Sequence, residues 1–153
     1  MRKTKLIVEL ENLFNNFKRI QDDYIIDISA IGDEGTVVLS VFEKEYGELL
    51  FDLEVDYVED MYKLITAFIN RIYEDYLNYL ERIVNGWNAF IKRKTKSLRL
   101  WSGRNHTNKV IEINNEIIAR YTQMEETKKQ RDFYKNFVYI FYTFRDEAVN
   151  LVA

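Results

Sequence analysis

The chain has 153 residues and a net charge of −3, with no cysteine, no proline and a single histidine. Disulfides, thiol nucleophiles, thiolate metal sites and histidine-rich metal sites are therefore excluded. No uncharged apolar run approaches the ~18 residues of a membrane span, and the N-terminus lacks a signal-peptide pattern. We expect a soluble cytoplasmic protein with no membrane partner.

Charge is divided unevenly along the chain. Residues 1–91 contain 9 Lys and Arg against 18 Asp and Glu, whereas residues 92–153 contain 13 against 7. The near-neutral total conceals an acidic first part of −9 and a basic second part of +6. Such asymmetry favours charged partners or head-to-tail self-association. The alternative is that both parts are only solvated surfaces.

Residues 1–60 are predicted to form an αβββ head. Apolar residues at spacings of three and four predict a helix from Lys3 to about Asp23, with Thr4 as its N-cap. Two glycines mark a turn over residues 32–35, and Lys44–Gly47 forms the next connection. These short connections predict an antiparallel meander. Its strands, indicated by alternation and β-branched residues, are Tyr24–Ile31, Thr36–Glu43 and Glu48–Asp56.

The third strand carries a row of acids. Apolar and acidic residues alternate strictly from Phe51, and a period of two places Asp52, Glu54 and Asp56 on one sheet face. Like charges on one face repel by a few tenths of a kcal/mol or more per pair. A helix N-terminus, where the macrodipole favours negative charge, accounts for Asp56, Glu59 and Asp60. It does not account for the other two, so this face is expected to meet solvent or a partner.

Residues 57–153 are predicted to form two long helices. The first runs from near Tyr57 to about Arg99, with Gly86 as the expected site of a bend. The second runs from about Lys109 to Asn150 and lies back along the first, because neither helix buries its apolar stripe alone. The fold class is therefore α+β, a head followed by an antiparallel helical hairpin. The residues expected to face inward are Met61, Ile65, Phe68, Ile72, Tyr76, Tyr79, Ile83, Trp87, Phe90, Ile113, Ile117, Tyr121, Met124, Phe133, Phe137, Ile140, Phe141 and Phe144.

The tip of the predicted hairpin, residues 92–109, is basic. Six cations and a tryptophan lie close together, followed by a short polar loop that contains His106. Cations beside an aromatic residue are typical of surfaces that bind phosphate and stack a base. The alternative is compensation of the helix dipole beside a solvated turn. The residues of this basic tip are Lys92, Arg93, Lys94, Lys96, Arg99, Trp101 and Arg104.

The segment from Phe133 to Phe144 is apolar nearly all round a helix. Two interpretations are open. The segment is either the end of the hairpin that is buried against the head, or the interface of a homo-oligomer. In the second case, self-association would use Phe133, Phe137, Phe141 and Phe144.

Signatures of catalysis are not found in the sequence. The four serines occur in no nucleophile-elbow context, and five glycines supply no phosphate-binding loop. Alternate acids on one straight strand lie about 7 Å apart, which is too far for Asp52, Glu54 and Asp56 to hold one metal ion unaided. We therefore predict a protein that is not an enzyme and that carries no metal or cofactor.

The order helix, three strands, helix, with an acidic third strand, resembles a small phage-encoded anti-CRISPR family that inhibits the type II RNA-guided nuclease. The resemblance covers residues 36–76 and rests on Gly47 and Glu54 and on the helix segment KLITAFIN, and the basic arm has no counterpart in it. The resemblance implies a cytoplasmic phage or mobile-element protein whose exposed acids occupy the groove where the nuclease reads DNA. The acids implied to stand in for phosphates are Glu43, Glu45, Glu48, Asp52, Glu54 and Asp56, and Glu59 and Asp60 complete the predicted acidic face.

Three functional hypotheses follow from these patterns. The first is a non-catalytic inhibitor whose acidic head mimics nucleic acid and blocks a nucleic-acid-handling protein of the host, with a CRISPR effector nuclease as the expected target. The second is a nucleic-acid-binding module that acts through the basic tip. The third is a structural protein that associates with copies of itself through the aromatic segment.

Overall fold

The computed structural model describes residues 4–31 and 35–149. It has the predicted α+β fold, an N-terminal helix and a three-stranded antiparallel sheet followed by long helices. Two π-helical turns, Tyr73–Leu77 and Arg145–Val149, interrupt or end the long helices. The regular elements are α1 (Lys5–Asn16), α2 (Lys18–Gln21), β1 (Tyr24–Ile31), β2 (Thr36–Glu43), β3 (Leu49–Asp56), α3 (Met61–Ile72), α4 (Asn78–Gly103) and α5 (Thr107–Phe144).

The chain forms two compact units. Unit 1 comprises residues 1–74 and 136–153, and unit 2 comprises residues 75–135. The division therefore lies at Glu74 and Asn136 rather than near residue 60, because α3 and the last turns of α5 belong with the sheet. Unit 1 contains 9 Lys and Arg against 18 Asp and Glu, and unit 2 contains 13 against 7. The net charges are thus −9 and +6, so charge is segregated by unit.

The sheet of unit 1 has the strand order β1-β2-β3 with antiparallel neighbours. Ile31 pairs with Thr36, and Thr36 pairs with Asp56 on its other side. A register shift at Phe42 places Leu49 opposite it. Residues 32–34 of the predicted first turn lie outside the described residues, and Gly35 adopts the positive φ of 68° that glycine tolerates. The inner face of the sheet is buried and consists of Ile26, Ile28, Val37, Leu39, Val41, Phe51, Leu53 and Val55.

Helix α1 covers the inner face and also satisfies the free edge of β1. Its predicted cap is confirmed, since the Thr4 hydroxyl accepts a hydrogen bond from the amide of Ile7 at 3.3 Å. The Asn15 side chain exchanges two hydrogen bonds of 2.8 Å with the backbone of Ile26. A carboxylate oxygen of Glu11 accepts another, at 2.8 Å, from the amide of Ile28. These hydrogen bonds occupy backbone groups of β1 that would otherwise be free to pair with a strand of another chain.

The predicted N-terminal helix is shorter than expected. It ends at Asn16 rather than near Asp23, and Phe17 takes up an extended conformation before the single turn of α2. The break directs the Phe17 ring edge-on toward Phe144, with centroids 5.4 Å apart. Neither glycine nor proline marks this position, so tertiary packing rather than local chemistry ends the helix.

The last turns of α5 complete the core of unit 1. Phe144 stacks on Phe14 with centroids 3.9 Å apart, and Phe141 lies 5.2 Å from the same ring. Phe137 contacts Phe51 edge-on at 5.0 Å. All three α5 rings are completely buried. The interpretation of this segment as a buried end is therefore confirmed for these three residues, and self-association through their side chains is wrong because no part of them reaches the surface.

The C-terminal π-helical turn is held against α3 by one arginine. The Arg145 guanidinium lies 4.5 Å from the Tyr62 ring and 4.8 Å from the Tyr142 ring. It donates a hydrogen bond of 3.1 Å to the Thr66 hydroxyl and pairs with Asp146. Such a guanidinium between two aromatic faces is favoured by the ring quadrupoles.

The long helices differ from their predicted bounds. The first begins at Met61, because Asp60 caps it by accepting from the Lys63 amide, and it continues to Gly103 instead of Arg99. Its irregularity is the π-helical turn at residues 73–77, and Gly86 lies within the helix α4. Two residues expected to face inward, Tyr79 and Tyr121, are 57% and 51% exposed.

Unit 2 is an antiparallel hairpin of α4 and residues 107–135 of α5. Glu81 forms ion pairs with Arg131 at 3.8 Å and Lys135 at 3.1 Å. The rings of Tyr76 and Tyr134 stack at 4.3 Å, nearly parallel. The side chains most deeply buried along the hairpin are Leu80, Val84, Ile113 and Met124.

Candidate functional site

The outer face of the sheet carries the predicted acidic row. The register aligns Asp52 with Ser40 and Asp27, and aligns Glu54 with Val38 and Ser29 across the three strands. Every residue on this face keeps part of its surface exposed, in contrast to the buried inner face. Asp52, Glu54 and Asp56 are all exposed. Alternation along β3 therefore presents three carboxylates outward at the ~7 Å spacing of alternate strand residues.

Two of these carboxylates form no ion pair with any described residue. Within the described ranges, neither Glu54 nor Asp56 lies within ion-pair distance of a lysine or arginine side chain. Arg71 donates from its Nε at 2.9 Å to the backbone carbonyl of Glu54, not to the carboxylate, and its guanidinium pairs with Glu74. The carboxylate of Glu54 is thus left available to an external cation.

One end of the same face is apolar. Ile25 and Leu49 flank Phe42 across the three strands, and they are 44% and 48% exposed. An apolar patch beside charged groups is the usual composition of a protein interface. The outer face thus combines an acidic row with an apolar end, and we call the two together the acidic sheet face.

The other predicted acids are not brought onto this face. Glu43 pairs with Tyr24 on the opposite side of the sheet and is half-buried. Glu45 and Glu48 lie in the exposed turn between β2 and β3, where Gly47 has a φ of 68°. Glu59 is exposed just before α3, and Asp60 serves as its N-cap. The predicted acidic set is therefore divided between a sheet face, a turn and a helix end.

The predicted basic tip is also divided. Its residues lie on α4 up to Gly103, so Trp101 is helical rather than part of a loop. At 100° per residue, Lys92, Lys96 and Arg99 fall on one side of the helix. The remaining members of the tip, Arg93, Lys94, Trp101 and Arg104, fall on the other side. Phe90 and Ser97 lie on that side as well.

The second of these sides gathers cations around an aromatic ring. The Phe90 centroid lies 6.0 Å from the guanidinium carbon of Arg93, 5.6 Å from the amino group of Lys94 and 5.6 Å from the guanidinium carbon of Arg120. Sequence reasoning missed Phe90 and Arg120. The helical spacing of Phe90 from Arg93, Lys94 and Trp101 could have indicated Phe90. Arg120 lies on α5, so predicting its place beside Phe90 requires the register between the two helices of the hairpin.

The same cations surround one acid. Lys94 pairs with Glu116 at 2.9 Å. The pKa of Glu116 is lowered first by this hydrogen bond and then by the charges of Lys94, Lys109 and Arg120. Three cations thus act on a single carboxylate, and positive charge is in excess.

The described part of the chain has neither a metal site nor a membrane span. Among residues 4–31 and 35–149, no three histidine or acidic side chains lie together as a metal site. Over the same ranges no helix carries an apolar run long enough to cross a bilayer. The acidic sheet face and the cationic side of the hairpin are therefore the surfaces developed below.

Comparisons of the chain with protein-family models, with curated proteins and with solved structures found no match. The resemblance to the anti-CRISPR family accordingly stays a prediction, carried by the residues quoted for it.

Proposed function

We propose that the protein is a non-catalytic inhibitor whose acidic sheet face binds the cationic nucleic-acid-binding surface of a host protein. The observation that carries this proposal is the outward row of Asp52, Glu54 and Asp56 on a sheet whose opposite face contributes to the core of unit 1. A channel that binds nucleic acid has a strong positive field, and a rigid row of carboxylates satisfies that field as phosphates do.

Two further features support a protein partner rather than a free cation. Unit 1 has a net charge of −9, which favours fast association with a basic surface. The apolar patch of Ile25, Phe42 and Leu49 supplies contact area that releases water on binding. The affinity is expected to fall as salt rises, because exposed charges are screened.

A CRISPR effector nuclease is the proposed target, on the strength of the sequence resemblance. The experiment is plasmid cleavage by a type II RNA-guided nuclease loaded with guide RNA, titrated with the protein. Wild type is expected to suppress cleavage, and the double variant Glu54→Lys, Asp56→Lys is expected to raise the half-inhibitory concentration at least about tenfold, since each reversal replaces an attraction by a repulsion.

A matched control carries the same charge change elsewhere on unit 1. Glu9 and Glu147 are exposed; Glu9 lies on α1, which packs on the inner face of the sheet, and Glu147 lies on the C-terminal π-helical turn, which packs on α3. The variant Glu9→Lys, Glu147→Lys should inhibit like wild type. Full inhibition by the sheet-face variant, or equal loss in both variants, contradicts the proposal. A pull-down from nuclease-treated host lysate tests the broader class, because a protein partner survives removal of nucleic acid.

A further inference from the structure

The second half of α4 and its C-cap carry aromatic and cationic residues on one side. Phe90, Arg93, Ser97, Trp101 and Arg104 recur at spacings of three and four, which places them in one stripe. Phe90 and Trp101 are eleven residues apart, or about 16 Å along the helix axis. The guanidinium carbon of Arg104 lies 5.6 Å from the Trp101 ring. The stripe thus repeats an aromatic ring flanked by cations.

Helix α5 adds further cations to this stripe. Arg120 reaches the Phe90 ring, and Lys109 lowers the pKa of Glu116 together with Lys94 and Arg120. Phe90, Arg93, Lys94 and Ser97 line a shallow cavity of about 430 Å³. We call the stripe and these α5 residues the cationic hairpin face.

The acids near this face leave positive charge unneutralised. Glu116 pairs with Lys94 at 2.9 Å, and Glu112 lies 3.7 Å from Lys109. In the part of the chain that the structure describes, neither Arg93 nor Arg120 pairs with a carboxylate, although Arg120 donates at 2.8 Å to the side-chain carbonyl of Gln123. Among the described residues no carboxylate neutralises these two guanidinium groups over the Phe90 ring, so both can donate hydrogen bonds to an anion.

We propose that the cationic hairpin face binds the phosphodiester backbone of single-stranded nucleic acid. Arginine is the side chain best suited to this role, because its planar fork donates two parallel hydrogen bonds to a phosphate. Cation contacts with Phe90 hold Arg93 and Arg120 near each other, which reduces the entropy lost on binding. A row about 16 Å long fits a polymer with repeating charges better than a single ion. Trp101 is half-buried, so part of its indole ring is accessible to a base.

A lipid surface fits this face less well. Membrane-binding surfaces combine cations with exposed apolar side chains on one face. On α4 the exposed Leu100 lies beside Arg93, but on α5 the exposed residues Ile111 and Ile118 lie about half a turn away from Arg120, so they point elsewhere. The proposal uses unit 2 alone and stands independently of the acidic sheet face.

The test is fluorescence anisotropy with labelled 20-nucleotide DNA and RNA single strands, measured at several salt concentrations. Wild type should bind both, with an affinity that falls linearly in log–log form as salt rises. The double variant Arg93→Glu, Arg120→Glu should weaken binding at least about tenfold and flatten the salt dependence. Absence of binding by wild type overturns the proposal.

The matched control reverses two charges on the other side of the same helix. Lys92 and Lys96 are exposed, and Lys92→Glu, Lys96→Glu changes net charge by the same amount. This variant should weaken binding less than about threefold, because only long-range attraction is lost. Equal losses in the two variants would mean that overall charge rather than the cationic hairpin face binds the strand, and would refute the assignment.

Further arms separate the remaining explanations. Circular dichroism confirms folding, and Arg93→Gln, Arg120→Gln repeats the loss without introducing repulsion. Two outcomes would overturn the assignment of nucleic acid as the ligand. One is displacement of the strand by heparin at an equal concentration of negative charge. The other is binding to phosphatidylserine vesicles that the Arg93→Gln, Arg120→Gln variant abolishes. The Glu54→Lys, Asp56→Lys variant should retain strand binding, so failure of the inhibitor proposal and failure of this one are distinguishable.

Discussion

Removing the Phe141 ring tests whether α5 completes the core of unit 1. The ring is completely buried and lies 5.2 Å from Phe14 and 6.2 Å from Phe137. Burial of this kind makes Phe141→Ala cost about 3–5 kcal/mol, since the substitution loses both transfer energy and packing around the cavity. Against a typical domain stability of about 5–15 kcal/mol, that is a large fraction.

The assay must report on unit 1 by itself. Both tryptophans, Trp87 and Trp101, lie in unit 2, so tryptophan fluorescence does not serve. Hydrogen exchange of peptides from β2 reports on unit 1, because Val37, Leu39 and Val41 are buried in that unit. A loss of about 3–5 kcal/mol should speed exchange there more than about a hundredfold, at tenfold per 1.4 kcal/mol.

Tyr139 provides the control on the same helix. Its side chain is 59% exposed and lies 5.1 Å from the Arg19 guanidinium, so the cation–π contact is a weak one at a solvent-exposed site. Tyr139→Ala should therefore change β2 exchange less than about tenfold. Similar exchange rates in the two variants would refute the account of the core given above.

Two further predictions concern the edge of β1 and the stacked tyrosines. Asn15→Ala should lower the free energy of unfolding by about 1–3 kcal/mol, because it removes two hydrogen bonds to Ile26. Light scattering should detect association of the variant through the exposed edge of β1. Asn12 is exposed, so Asn12→Ala is the control, and equal association of the two variants would contradict the role of Asn15 at the edge. Burial, and secondarily Tyr76, raises the pKa of Tyr134 above its ordinary 10.0, so its contribution to stability is complete below pH 10 and lost as pH rises through the folded pKa. Urea unfolding should therefore show Tyr134→Phe gaining stability relative to wild type at pH 11 compared with pH 8, and an unchanged difference would contradict this.

Periodicity was sufficient to predict the sheet. Strands β1 and β2 have the predicted bounds, and β3 begins one residue later than predicted, at Leu49. The prediction succeeds because alternate residues of a strand point to opposite sheet faces, so the apolar residues mark the side chains that enter the core. The helix break at Phe17 and the π-helical turn at residues 73–77 could not be predicted, since neither glycine nor proline marks them. Both are decided by partners far away in sequence.

The two candidate surfaces differ in how far sequence could predict them. The acidic row lies on one strand, so a period of two was enough to place Asp52, Glu54 and Asp56 together. The cationic hairpin face joins Phe90 to Arg120, which lie on different helices. Its composition depends on the register of the hairpin, and local patterns do not contain that information.

The charge of unit 1 is more than its fold requires. The inner face of the sheet takes the apolar residues and Asp60 caps α3, so neither role explains the exposed Glu54 or the adjoining row. A net −9 on unit 1 opposes folding through self-repulsion. Stability alone would favour lysine or threonine at some of these positions, because cross-strand and same-face like charges are unfavourable. A cationic partner turns the same repulsion into binding energy, and this is the physical reason for treating the acidic sheet face as a binding surface.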